Sequence, residues 1–263
     1  MEAIGLEESK KIQIGILDFF DQFCRKEGIR YSLSYGSLIG AIRHKGFIPW
    51  DDDIDIMMPR EDYNILISKF KDANGIYVIH CVENDSEYCY PYAKIEDTRT
   101  ILSERVNANH IGINMDIFPL DYSGDTVEEA RKNVSKLWFI KKVHRAKLIV
   151  PSKRNALWKR VLYILCNKLL FCVDIRNLAL EISKRASEFD KPTSLVSMFL
   201  GEIFFVLPVK SFDQLIRVPF ENGYYYSIPD YDVFLRSVYG DYMQLPPIEK
   251  QCSPHTIDKA CWK

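Results

Sequence analysis

Leu6, Ile12, Ile16, Phe19, Phe20 and Phe23 recur at helical spacing among Lys, Asp, Gln and Glu, which predicts an amphipathic helix over residues 6–26 with Gly28 as its stop. Residues Ile29–Tyr35 alternate and are bounded by glycine, the pattern of a strand. Gly36-Ser37 and the apolar run Leu38-Ile39-Gly40-Ala41-Ile42 read as a glycine turn opening one or two turns of helix. A loop leads to Asp51-Asp52-Asp53-Ile54-Asp55, read as a strand that continues through Ile56-Met57-Met58 to Pro59. Residues 60–70 read as helix, with Tyr63, Leu66, Ile67 and Phe70 on one face. Further strands are expected at Ile76–Val82, Tyr90–Ile95 and Asn114–Phe118, the last ending at Pro119. Strands and helices alternate through this half, the order of an α/β or α+β core.

From Ser135 to Arg185 the pattern becomes helical, with Leu157, Val161, Leu162, Leu165, Leu169 and Leu170 in register, and two or three amphipathic helices are expected. No apolar run approaches the roughly 18 residues that a membrane span requires. From about Ile203 strand and loop signals return, with a short helix over Asp230–Tyr239.

The 263 residues carry a formal net charge of −1, which argues against bulk attraction to nucleic acid or to an anionic membrane. That value is a cancellation. Residues 135–185 hold thirteen Lys and Arg against Asp174 and Glu181, a local charge of +11, and the remainder carries −12. The basic stretch has three readings: helices with a solvated basic face, a surface for an anionic glycan or lipid-linked acceptor with peripheral membrane contact, or a nucleic-acid surface. Cys24, Cys81, Cys89, Cys166, Cys172, Cys252 and Cys261 are odd in number and contain no C-x-x-C pair, as expected of reduced thiols in a cytosol. The N-terminus has no basic segment followed by an apolar core, so no secretory signal is expected.

The acidic cluster carries the chemistry. On a strand, Asp53 and Asp55 would share a face about 6–7 Å apart, close enough to share a cation and repulsive without one. Asp51 has the same parity and Asp52 does not. All-oxygen ligands suit Mg²⁺ or Mn²⁺. The plain alternative is a solvated acidic loop or a helix N-cap run before Arg60. Gly36-Ser37 is either an ordinary turn or an anion site in which free backbone N–H groups and the Ser37 hydroxyl receive a phosphate. Asp116, isolated in an apolar strand, needs a partner. It caps a loop, pairs with Arg99 or Arg105, binds metal, or acts as the base for an attacking hydroxyl. A zinc site drawn from His80, Cys81, Cys89, Cys252 and His255 has no recognised spacing.

The stretch from Tyr35-Gly36-Ser37 through Arg43-His44-Lys45-Gly46-Phe47-Ile48-Pro49-Trp50 to Asp51-Asp52-Asp53-Ile54-Asp55 resembles the signature of the LicD family of phosphotransferases. That family belongs to the nucleotidyltransferase-fold superfamily and is related to the fukutin-type ribitol-phosphate transferases. The resemblance continues through Arg60-Glu61-Asp62-Tyr63, Pro91-Tyr92-Ala93-Lys94-Ile95 and Met115-Asp116-Ile117-Phe118-Pro119-Leu120-Asp121, and returns at Tyr239-Gly240-Asp241-Tyr242-Met243, Pro246-Pro247 and His255. It is weak across the basic middle.

The resemblance implies an α+β fold with a mixed sheet: a nucleotidyltransferase-like catalytic core (1–134), a basic helical appendage (135–200) and a C-terminal segment (201–263) completing the active-site face. It implies transfer of phosphocholine, or a similar alcohol phosphate, from CDP-choline or another CDP-alcohol to a glycan or lipid-linked glycan, releasing CMP. Asp53, Asp55 and Asp116 take the catalytic and metal positions with Asp51 as a further ligand, and Mg²⁺ or Mn²⁺ is expected, as two ions when donor is bound. Gly36, Ser37, Arg43, His44 and Lys94 fall at donor-binding positions. Tyr88, Tyr90, Tyr92 or the Tyr224–Tyr226 run could cage a choline ammonium. A cytoplasmic location is expected, with the inner face of the cytoplasmic membrane as its refinement, and no nucleic-acid partner. The alternatives are a nucleotidyltransferase releasing pyrophosphate and an inactive glycan-binding module.

Overall fold

A computed structural model describes residues 2–104, 106, 108, 110–150, 157–188, 191–201, 203–252 and 257–263. His255 and Arg105 lie outside the described residues. The elements in chain order are α1 (Leu6–Glu27), β1 (Ser32–Leu33), α2 (Tyr35–Ile39) continued by a π-helical turn (Gly40–His44), β2 (Asp55–Pro59), α3 (Arg60–Lys69), β3 (Tyr77–His80), β4 (Ala93–Asp97), β5 (Thr100–Glu104) and β6 (Asn114–Gly124). There follow α4 (Val127–Ser135), α5 (Trp138–Leu148), α6 (Leu157–Leu169), α7 (Ile175–Ser187), β7 (Leu195–Ser197), β8 (Leu207–Pro208), β9 (Ile216–Phe220), β10 (Gly223–Ser227), α8 (Tyr231–Tyr239) and β11 (Ile257–Trp262). The fold is α+β, as expected.

The main sheet has the order β1-β2-β6-β4-β3, with β7 and β8 continuing beside the far end of β6. Among the described residues only the β2–β6 pair is parallel; its register sets Asp55 beside Asp116 and Met58 beside Pro119. Ile56, Met57 and Met58 are all fully buried, so β2 has a core on both faces and its side chains do not alternate in burial. Each such side chain contributes about 1.5–3 kcal/mol of transfer free energy.

α1 buries Ile16, Leu17 and Phe20 in the same core and stops where expected. Gly28 is left-handed (φ 69°), a conformation glycine enters without a Cβ clash, and the chain leaves the helix there. Three expectations for strands change. The first strand shrinks to Ser32–Leu33, because the chain turns into α2 at Tyr35. The acidic run does not lie on a strand: β2 begins only at Asp55, since β1 pairs with β2 no further back than Ile56 and the ladder with β6 opens at Asp55. Pro119 does not end its strand. It falls between the residues of β6 that pair with β4 (114–117) and those that pair with β7 (121–124), where no ladder on that edge needs an N–H.

The basic middle forms three helices, α5, α6 and α7. Val134, Leu137, Ile182, Ala186 and Phe199 make a small core between α4, α7 and the strand-side chain. His144 Nε2 donates to the Cys89 carbonyl at 2.7 Å, and Arg176 donates to the carbonyls of Val82 (3.0 Å) and Asp85 (3.3 Å). These bonds hold the helices to the loop that follows β3. No described helix is long and apolar enough to cross a membrane.

His80 bridges that loop to β4, with Nδ1 2.7 Å from Asp85 Oδ2 and Nε2 2.9 Å from Glu96 Oε1. The hydrogen bonds to Glu96 and Asp85 outweigh burial and raise its pKa above the usual histidine range. A raised folded-state pKa adds stability that is complete below about pH 6.5 and disappears as pH rises through the folded value. We therefore expect His80→Gln to cost about 1 kcal/mol at pH 6 and distinctly less at pH 9. Urea unfolding at the two pH values measures this, and an equal loss at both would remove the charge from the explanation.

Candidate active site

The site lies where β2 and β6 run side by side and the chain before each strand bends away. Asp55 and Asp116 occupy paired positions on the two strands, and the Asp116 amide donates to the Ile54 carbonyl at 2.9 Å. Upstream, residues 51–54 form a loop fastened from three directions. Gln13 Nε2 donates to the Asp52 carbonyl at 2.9 Å, Lys10 Nζ reaches the Pro49 carbonyl at 3.3 Å, and the Asp51 amide donates to the Ile48 carbonyl at 2.9 Å.

Freed from a pleat, the carboxylates of Asp51, Asp52 and Asp53 gather with ligand oxygens all within 4.8 Å of one another. This corrects the parity argument: Asp52 joins the cluster because in a loop its side chain has no opposite face to occupy. None of His80, Cys81, Cys89 or Cys252 falls in such a group among the described residues. Burial, followed by the charges of Asp53, Asp116 and Asp51, pushes the Asp55 carboxyl well above the usual carboxylate range, against the opposing pull of Lys94.

The glycine turn faces this cluster. Tyr35 is left-handed (φ 44°), a strained conformation for a bulky residue. Its ring is fixed between Phe118, Phe205 and Phe234, and its hydroxyl donates to Met198 Sδ at 3.1 Å. The turn brings the Gly36 backbone against Asp51: a Cβ there would lie 2.5 Å from Asp51 Oδ2, so only glycine leaves that carboxylate its place. Ser37 is buried and its Oγ accepts the Asp55 amide at 2.8 Å, so one role of this hydroxyl is to tie the turn to the strand; its proton remains a donor. Ser34 Oγ, at the head of the turn, and Gln13 Oε1 are buried without a hydrogen-bond partner.

Lys94 is not a free phosphate ligand. Its ammonium lies 2.5 Å from Asp116 Oδ1 and 3.0 Å from Asn114 Oδ1, above the rings of Tyr90 (5.2 Å) and Tyr92 (5.8 Å). β4 carries it there because Lys94 and Asp116 are register partners across β4 and β6. It is this lysine that answers the charge of Asp116; Arg99 instead pairs with Asp97, its neighbour two residues back.

Arg43 and His44 end the π-helical turn. Arg43 Nε donates to its neighbour His44 Nε2 at 2.9 Å within the turn, and its Nη1 donates to the Tyr242 carbonyl, which links the turn to the C-terminal segment. Burial lowers the pKa of both, and the Arg43 charge lowers that of His44 further, which keeps the imidazole neutral as acceptor.

A cleft of about 200 Å³ beside the strands is lined by Gln13, Asp52, Asp53, Tyr90, Tyr92, Lys94, Asn114 and Asp116. Of the tyrosines offered as a cage, Tyr90 and Tyr92 line it. Tyr88 is buried, stacked on His80 with its hydroxyl unpartnered. Tyr225 donates to Asp18 at 2.6 Å and Tyr226 packs on Tyr31, which commits most of the 224–226 run to bracing the β9–β10 hairpin on α1 and on the residue just before β1.

Sequence reasoning did not assign Tyr239, Tyr35 or Gln13. Tyr239 ends α8 and its hydroxyl pKa is raised by burial and then by Asp55, Asp51 and Asp53, so it borders the carboxylates. Its place in the Tyr239-Gly240-Asp241 block was the available signal. Gln13 gave none, as one polar residue on the face of an amphipathic helix.

The whole chain is similar to the lipopolysaccharide cholinephosphotransferase LicD of Haemophilus influenzae, with 35% identity over 274 aligned residues that cover 99% of each protein. Residues 28–154 match the family described as LicD/FKTN/FKRP, nucleotidyltransferase domain. Over 58 residues, 22% of this chain and 10% of the relative, it is 40% identical to the ribitol 5-phosphate transferase FKRP of Mus musculus and of Homo sapiens.

The charge balance predicts two opposite effects on metal-free stability. Asp55→Asn removes one of several mutually repelling carboxylates and should raise stability by about 1 kcal/mol or more. Lys94→Met leaves Asp116 without its countercharge and should lower it by about 2–4 kcal/mol. Calorimetry in chelator reads both, and a loss in Asp55→Asn would mean the cluster is not under charge strain.

Proposed function

The chain belongs to the LicD family of phosphotransferases, and we propose that it moves phosphocholine, or a similar alcohol phosphate, from a CDP-linked donor to a hydroxyl of a cell-surface glycan, with CMP leaving. The observation that supports this reading most is the pairing of Asp55 with Asp116 on parallel strands beside the gathered carboxylates of Asp51, Asp52 and Asp53.

The donor set fits a hard divalent cation. The carboxylates of Asp51, Asp52 and Asp53 offer oxygens at coordinating separations, the charge of Lys94 opposes the repulsion at Asp55 without cancelling it, and Gln13 Oε1 lines the same cleft without a hydrogen-bond partner. Asp53, Asp55 and Asp116, with Asp51 and Asp52, would hold Mg²⁺ or Mn²⁺. Such an ion, when bound, neutralises charge on a diphosphate and on the oxygen that leaves it.

The protein's own residues account for the remaining requirements. The backbone at Gly36 and Ser37 offers N–H donors to a phosphate at the start of a helix, where the dipole favours an anion. Arg43, anchored at Tyr242, and His44 fix the far end of that helix. Lys94 holds Asp116 Oδ1, leaving Oδ2 to take the proton of the acceptor hydroxyl as its oxygen bonds to the phosphorus bearing the alcohol and the bond to CMP breaks. Catalysis of this kind rests on positioning and charge neutralisation. Tyr90 and Tyr92 wall the cleft where a choline ammonium would gain from aromatic faces and nearby carboxylates.

Incubation with Mg²⁺ and CDP-choline, CDP-ribitol or CDP-glycerol should release CMP from one of them. Release of pyrophosphate from a nucleoside triphosphate in its place would support the nucleotidyltransferase alternative. Asp55→Asn and Asp116→Asn should each lose about a hundredfold or more in turnover while folded. Wild-type turnover in either variant would remove that residue from the mechanism.

A further inference from the structure

α6 is amphipathic in an inverted sense. Leu157, Trp158, Val161, Ile164, Leu165 and Leu169 recur at helical spacing on one stripe and are exposed, from 46% at Ile164 to 80% at Leu169. A helix that covers a core turns such a stripe inward. Just beyond its end Phe171 is 79% exposed, and the adjacent α5 exposes Trp138 and Phe139. A patch of this kind marks an interaction surface.

The charge beside it selects the occupant. From Ser135 to Val173 there are ten Lys and Arg and no Asp or Glu. An isologous contact with a second copy would press this wholly cationic segment against itself. An anionic lipid surface receives both features at once, the apolar side chains below the headgroups and the cations among the phosphates. At thirteen residues α6 is about 20 Å long, which suits lying in the interface and not crossing it.

We propose that α6, with the exposed end of α5, docks this enzyme on an anionic membrane surface. The inference deepens the reading above, which leaves the acceptor free or lipid-linked, by placing the acceptor on a lipid. A cavity of about 620 Å³ supports it: Trp138, Lys142 and Arg145 of α5 line it together with Tyr90 and Tyr92, the two rings that also line the aspartate cleft. A glycan tethered at the surface thus meets a cationic, aromatic-walled space that shares a wall with the site of transfer.

The test uses the full chain and does not depend on catalysis. Vesicles of phosphatidylglycerol and phosphatidylcholine should sediment the protein at about 0.1 M salt, pure phosphatidylcholine vesicles should sediment far less, and about 0.5 M salt should weaken the anionic case. The exposed triple variant Trp158→Ala, Leu165→Ala, Leu169→Ala should weaken binding by more than about tenfold. Lys142→Glu with Lys168→Glu should weaken it by charge alone. CMP release to a soluble acceptor or to water should be unchanged in the triple variant, so loss of docking and loss of activity are separate readouts. No sedimentation with anionic vesicles, or sedimentation that the triple variant does not reduce, overturns the proposal. So does a stable dimer in solution that the triple variant dissociates.

Discussion

The structure is organised around a charge imbalance held open at the centre of its sheet. Parallel pairing of β2 with β6 fixes Asp55 beside Asp116, and the Asp51–Asp53 loop adds three more carboxylates within coordinating reach of one another. Burial first and then these neighbouring carboxylates raise the pKa of Asp55. One lysine, Lys94, is delivered from the neighbouring strand to the Asp116 side. Apolar burial of β2 on both faces supplies the stability against which this repulsion is maintained.

The parts of the chain remote from the aspartates serve largely to hold their loop. α1 contributes Gln13 and Lys10 to the backbone of residues 49–52. From the other end of the chain, the β9–β10 hairpin presents Glu221, whose amide donates to the Lys45 carbonyl and whose carboxylate accepts the Phe47 amide at 2.9 Å. The close approach of Glu221 to Gly46, and of the Gly46 carbonyl to Gly40, leaves no room for a Cβ at either glycine. Arg43 completes the clamp by binding the Tyr242 carbonyl. The family signature between residues 35 and 55 is therefore in large part a set of packing constraints on one loop. Gly36, Gly40 and Gly46 permit close approach to their backbones, while Asp52 and Asp53 line the cleft.

Much of this was legible beforehand, for physical reasons. Long amphipathic periods survive tertiary context, so α1, α3 and the basic helices stand where their apolar spacing put them. The short run 51–58 misled because its alternation of Asp and Ile imitates a pleat, whereas the ladder that would make it one begins only at Asp55. Pro119 misled because a proline is excluded from a strand only where a neighbour needs its N–H. Lys94 and Arg43 were expected beside a donor's phosphates, and the structure adds protein partners that spacing did not show, Asp116 for Lys94 and the Tyr242 carbonyl for Arg43. Spacing shows that a cation is near, and only register shows which carboxylate or carbonyl it reaches.

The sequence by itself determined the chemistry on offer: a glycine turn, a cluster of aspartates with one more at residue 116, and a segment of ten cations without an acid. These are properties of residue type and order, and they persist in any conformation that brings the segments together. The tertiary structure decided what each group faces. It set Asp52 among the clustered carboxylates, turned Lys94 onto Asp116, used Ser37 to tie the turn to β2, and left the apolar face of α6 exposed. Those outcomes depend on pairing register and on contacts between segments far apart in the chain, as across the 199 residues from Arg43 to Tyr242, which no local pattern encodes.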